Sequence, residues 1–216
     1  VGNPYPSSID WDLIKNNLTN IDEGIYVWDG SQYANYVNGI SSGSGNLNNI
    51  IPPMQGFFVR ANAPNAGFLL NNSHRTHDNT QYYKNNSNKA QKERLLAISI
   101  QANNYNSITN IYFDNQATSN YDSKLDAIAM FSYYNQVPDL YTIGSNGIKY
   151  STNCLPQSLL NNISIPLGLK LLTSDNYTLN FQFTAGFDTI QILLQDKLLN
   201  QFIDIKSNNN YNFTHN

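Results

Sequence analysis

Tyr177-Thr178-Leu179-Asn180-Phe181-Gln182-Phe183 places an apolar side chain at every second position and a hydroxyl or amide between. Period 2 sends these two sets to opposite faces of an extended chain, so the stretch reads as a strand with one buried and one wet face. Leu95-Leu96-Ala97-Ile98-Ser99-Ile100 alternates less cleanly and reads as a strand covered on both faces. Similar short runs recur at residues 108–113, 127–134, 140–143, 148–151, 163–172, 189–194 and 201–205, each bounded by Asn, Gly, Ser or Pro. Earlier in the chain, residues 24–28, 32–37, 56–61 and 68–71 have the same character. Asp29-Gly30 between the first two supplies the positive φ of a hairpin turn. Residues 10–18 suit one short helical turn capped by Asp10 or Ser8, and residues 38–49 read as a mobile Gly/Ser/Asn loop. The spacing predicts an all-β protein, a β-sandwich or jelly roll in two packed units. The expected boundaries are 1–80, a polar linker at 81–91, and 92–216 with its last strand missing.

Only 12% of the 216 residues are charged, about half the usual share, while Asn takes about one position in six. Few charges with many aromatics is not the composition of disorder; it suits β structure whose surface is solvated by amides and hydroxyls. A net charge of −3 with scattered Lys and Arg argues against nucleic acid, which needs a basic stripe. No apolar run nears the roughly 20 residues that span a bilayer as a helix. Val1 opens directly on a folded motif, without a signal peptide, which suggests a piece of a longer precursor. Cys154, the single cysteine, reads as a small buried hydrophobe.

Catalysis finds little support. Glu23 and Glu93 are the only glutamates, and the acidic run Asp10, Asp12, Asp22, Glu23, Asp29 falls in presumed loops and turns. Two carboxylates converging on one bond, as a glycosidase needs, are not indicated. His74 and His77 are three apart, opposite faces of a strand and poor metal geometry. Two binding features stand out. Asp114, Asn115, Asp122 and Asp126 lie in an oxygen-rich loop that suits a structural calcium ion, or a loop pinned by Asx turns. Trp28, Tyr33 and Tyr36 surround one hairpin with Tyr26, as a sugar-stacking platform would; the same pattern arises if that face is core.

The opening Gly2-Asn3-Pro4-Tyr5-Pro6, then Ile25-Tyr26-Val27-Trp28-Asp29, Ile51-Pro52-Pro53-Met54-Gln55-Gly56-Phe57-Phe58-Val59 and Tyr112-Phe113-Asp114-Asn115-Gln116-Ala117-Thr118 form an ordered set, closing on Tyr121-Asp122 and Asp126-Ala127. This set resembles modules near the C-termini of large secreted Bacteroidetes proteins exported by the type IX secretion system. The resemblance implies a secreted or outer-surface location, with surface glycans or the outer-membrane type IX machinery as partners, and no single activity. In such proteins a strand precedes the first motif, and a further strand and a sorting domain follow residues 212–214. Asp188-Thr189-Ile190 resembles a short motif O-glycosylated outside the cytoplasm, and Thr189 reads equally as a strand residue. The expected function is a non-catalytic stalk, spacer or adhesin module; the alternative is a carbohydrate-binding module attached to a polysaccharide-degrading enzyme.

Overall fold

The computed structural model describes residues 1–43, 47–77, 92–102 and 104–216. The expected linker at 81–91 lies outside the described residues, as do residues 44–46 of the expected mobile loop. The protein is all-β, built from packed sheets.

The first part contains β1 (Ser8–Asp10), a single helical turn α1 (Trp11–Ile14), β2 (Ile21–Trp28), β3 (Tyr33–Val37), β4 (Ile40–Ser42), β5 (Ile50–Ile51), β6 (Phe58–Ala61) and β7 (Arg75–Thr76). Strands β4-β3-β2-β6 form one sheet and β5-β1-β7 another. The second part contains β8 (Leu95–Ala102), β9 (Tyr105–Asp114), β10 (Ala127–Ile128), β11 (Asp139–Ile143), β12 (Lys149–Pro156), β13 (Leu167–Lys170), β14 (Asp175–Phe183), β15 (Leu193–Asp196), β16 (Gln201–Asp204) and β17 (Asn210–His215). An eight-stranded sheet runs β13-β11-β12-β9-β8-β14-β17, with β10 also on β12, and β15–β16 is a separate hairpin. Pairing is antiparallel except between β9 and β12.

Alternation at residues 177–183 becomes a burial pattern: Tyr177, Leu179 and Phe181 are buried while Gln182 is exposed. In β8 the set Leu96, Ile98 and Ile100 is buried and the other face half-buried, with Leu95 packed beneath the first part. The expected helical turn forms at Trp11, and the Asp10 carboxylate caps it by accepting the Asp12 N–H at 2.9 Å. Other boundaries differ. Residues 68–71 are not a strand, and 127–134 keep only Ala127–Ile128. The supposed loop after residue 38 turns at Asn38-Gly39 and immediately forms β4. Asn210–His215, overlooked in the sequence, is the sheet's edge strand, paired residue for residue with β14.

Two separate cores result. Trp11 is fully buried among Ile9, Ile14, Ile25, Val27, Tyr36 and Ile51, edge-on to Phe57 and Phe68 at 5.7 Å each. Its indole N–H donates to the Glu23 carbonyl at 2.7 Å, so the buried donor is satisfied. Asn3, 2% exposed, donates its amide to the carbonyls of Ile51 (3.2 Å) and Pro52 (2.9 Å). That clip joins the Gly2-Asn3-Pro4 motif to the Ile51-Pro52 motif. The second core gathers Leu96, Ile98, Ile111, Phe113, Leu155, Leu179 and Phe181 on the far face of the eight-stranded sheet.

Between the cores, β2, β3 and β4 of the four-stranded sheet are mostly covered on both faces, while β6 is largely exposed. Ile25, Val27, Ala34 and Tyr36 face Trp11. On the other side, Tyr26 and Val37 meet Ala127, and Ile40 meets Tyr112, Leu125 and Cys154. Asn35, 1% exposed, sits within this seam. Its amide nitrogen donates to Ser42 Oγ and, at 2.8 Å, to Ser151 Oγ; its oxygen accepts from Thr152 Oγ1 at 3.1 Å. Nearby, the Asn110 amide donates to the Ser41 carbonyl at 2.8 Å.

Asn35→Ala takes a partner from three buried hydroxyls, of which Ser151 Oγ keeps the Ala127 carbonyl, and is expected to cost about 2–3 kcal/mol in urea unfolding. A double-mutant cycle with Thr152→Val should return a coupling of about 0.5 kcal/mol or more. Additivity of the two substitutions would show that the seam does not depend on this amide.

Candidate functional site

The β2–β3 hairpin ends in a turn that positions two rings. The Asp29 carboxylate accepts the N–H groups of Ser31 and Gln32 and the Ser31 hydroxyl, each at 2.9 Å. Gly30 takes φ +103°, a conformation other residues rarely adopt. Trp28 and Tyr33 are then cross-strand partners on one face, with ring centroids 5.0 Å apart. On the neighbouring strand β6, Phe58 pairs opposite Tyr26 and brings its ring to 5.6 Å from Tyr33.

The second part completes the group. Between β10 and β11, Tyr133 approaches Trp28 to 5.9 Å and Tyr33 to 6.2 Å, and Tyr134 approaches Trp28 to 5.9 Å. Ser132 anchors this segment: its N–H donates to Asp139 at 2.9 Å, and its hydroxyl donates to the Ser31 carbonyl at 2.5 Å. Gln32 adds a second tie by donating its amide to the Asn106 carbonyl. Tyr133 is 79% exposed, Tyr134 50% and Phe58 49%, while Trp28 and Tyr33 are half-buried between them, so five aromatic residues form a ridge with an exposed crest across the junction of the two parts. Tyr33 donates its hydroxyl to Tyr133 at 3.3 Å, and this bond, with burial second, pushes the Tyr33 phenol up to about 12. Planes of neighbouring rings differ by 45° to 82°, giving a faceted surface in place of one flat platform.

Of the sequence-predicted ligand residues, Trp28 and Tyr33 belong to this ridge and Tyr36 does not. Tyr36 points to the opposite face of β3, 1% exposed, with its hydroxyl donating to Asp12 at 2.8 Å. Period 2 requires this, since 33 and 36 differ by an odd number. Tyr26 shares the Trp28 face as expected but is covered by Val37, Ala127 and Met130. Phe58, Tyr133 and Tyr134 were missed. Tyr133-Tyr134 is visible as an aromatic doublet, but nothing local brings it to a hairpin a hundred residues earlier.

The predicted calcium ligands do not gather in one place. Asp114 accepts the Gln116 N–H and Asp122 the Lys124 N–H, both at 2.9 Å, as Asx turns do; Asn115 is exposed. Asp126 is 1% exposed, and its two oxygens accept the N–H groups of Asp122 and Cys154 at 2.7 Å each. Among the described residues no group of three His, Cys, Asp or Glu side chains is arranged to hold a metal ion. Thr189 is exposed in a turn, not in a strand. The early acidic residues have structural partners: Asp22 is held by Arg60 at 2.7 Å, Asn62 at 2.9 Å and Tyr121 at 2.5 Å. His74 accepts the Asn71 N–H in a capping box. No helix among the described residues is long and apolar enough to cross a membrane.

Burial pushes Asp126 up to about 7, against the pull of its two N–H donors. A folded-state value above the unfolded one of roughly 3.9 means that folding favours the protonated form. Its stabilising contribution is therefore complete below about pH 4 and is lost as pH rises towards about 7. Urea midpoints of the native chain should carry this decline between pH 4.5 and 8 (a loss of a few kcal/mol at most), and Asp126→Asn should flatten it. An equal slope in Asp126→Asn would assign the dependence to other groups.

No curated protein and no solved structure matches this chain. One family, described as Domain of unknown function (DUF8693), matches residues 1–216, and the chain belongs to that family.

Proposed function

We propose that this chain is a non-catalytic adhesive module whose aromatic ridge binds glycan on the outer surface of the cell or in the secreted medium. The observation that carries the reading is the ridge of Trp28, Tyr33, Phe58, Tyr133 and Tyr134, its crest of Phe58, Tyr133 and Tyr134 exposed in a protein whose other large aromatics mostly lie in cores. Apolar ring faces stack on the C–H faces of sugars, and phenol hydroxyls at their rims bond to sugar hydroxyls. Tilted facets suit a single, twisting glycan chain better than the flat face of a crystalline polymer. Surface location and export by the type IX route rest on the likeness of the ordered motifs to modules of that kind. A pure stalk or spacer would not need the exposed rings.

Affinity electrophoresis in soluble polysaccharides, together with a glycan array, tests this. Trp28→Ala and Tyr133→Ala should each weaken binding roughly tenfold or more, about 1.4 kcal/mol, and Tyr133→Ala, at the exposed crest, should do so with little change in unfolding midpoint. Tyr36→Ala should do the opposite, lowering stability by about 3 kcal/mol or more through loss of core packing. Failure of the folded native chain to bind any glycan would sink the adhesive reading and leave the spacer.

A further inference from the structure

We infer that the second core contains a binding site for a short hydrocarbon chain, beneath the β15–β16 hairpin. A cavity of about 180 Å³ opens there between the eight-stranded sheet and the segments that cover its far face. Its floor is Ile98, Phe113 and Phe181, and its roof includes Ile165, Ile192 and Leu194. Gln191, exposed, is the sole polar side chain among the described lining residues. Ile163 and Leu193, at 38% and 46% exposure, show that one side of the cavity reaches solvent.

Two observations mark this space out. It is an open-sided recess in the core, far larger than a water molecule, where packed interiors leave few gaps of that size. Its side chains, Gln191 apart, are apolar, so a hydrocarbon occupant gains contacts there that water does not. The β15–β16 hairpin pairs with no other sheet among the described residues; it rests on the core through side chains such as Leu194 and is tied to β17 where Tyr211 donates its hydroxyl to Asp196. The adjoining turn is fastened too: Lys206 Nζ donates to the carbonyls of Phe187 (2.8 Å), Asp188 (3.0 Å) and Ile190 (3.1 Å).

Size and chemistry select the occupant. Benzene fills an engineered apolar cavity of about 150 Å³, so this space holds roughly six to eight carbons. The single amide at the rim leaves a polar head group in water, where Gln191 can bond it. The ligand class is the tail of a short-chain amphiphile. This site is on the face of the eight-stranded sheet opposite the four-stranded sheet, so it stands independently of the aromatic ridge.

Methyl-resolved NMR of the whole chain with octanoate as probe tests the assignment. Octanoate should shift the methyl signals of Ile98, Ile165 and Ile192 saturably and leave Ile9, Ile25 and Ile51 of the Trp11 core unmoved. Ile165→Phe fills the cavity and should weaken octanoate binding roughly tenfold or more, with the circular dichroism spectrum retained. Should that variant fail to fold, Leu194→Phe fills the space from the hairpin side and carries the same expectation. Absence of saturable shifts in the native chain, equal shifts in both cores, or undiminished binding by a folded filled variant would overturn the site.

Discussion

A buried amide holds the molecule together in its working form. Asn35 lies in the seam at 1% exposure, where water does not reach it, and its partners come from both parts of the chain. An unsatisfied amide there would carry a desolvation cost larger than the net gain of most hydrogen bonds, so the two parts have one orientation that meets its needs. Apolar contacts around it, from Ile40 to Tyr112 and from Tyr26 to Ala127, supply area without direction. The amide supplies the direction. Everything at the rim of the seam, including which aromatic residues meet, follows from that registration.

The ridge is a case in point. Neither part forms it alone: Trp28, Tyr33 and Phe58 come from the first, Tyr133 and Tyr134 from the second. Ser132 reaching the Ser31 carbonyl and Gln32 reaching Asn106 fasten the two contributions at the edge where the seam meets solvent. The ordered motifs at residues 2–6, 51–59 and 112–127 do similar work elsewhere. Asn3 clips Ile51-Pro52, Asp126 takes the N–H of Cys154, and Tyr112 donates its hydroxyl to the Leu125 carbonyl at 2.8 Å. These unusual strings are joints of the fold.

Local chemistry was legible in the sequence wherever one element decides it. The period of residues 177–183, the Asp10 cap and the Asp29-Gly30 turn all appear as read, because each depends on neighbours within a few residues. Long-range choices were not. Whether Tyr26 or Trp28 is covered depends on where Ala127 and Met130 arrive, and the Tyr133-Tyr134 doublet gains meaning only opposite the hairpin. Asn210–His215 was missed because its apolar positions are two aromatics diluted by Asn and Thr. Its place as a strand comes from pairing with β14, where Phe213 stacks on Tyr177 at 5.6 Å.

Cys154 lies in the same seam, 2% exposed beneath Ile40, and burial pushes its thiol up to about 12. A thiol kept protonated and out of solvent is a poor nucleophile, so the chain carries a lone cysteine without becoming prone to cross-linking in an oxidising medium. Alkylation of that sulfur requires the four-stranded sheet to lift away. Its labelling rate is thus a clock for separation of the two parts, ticking with the opening of the seam and indifferent to motion at the distant β15–β16 hairpin.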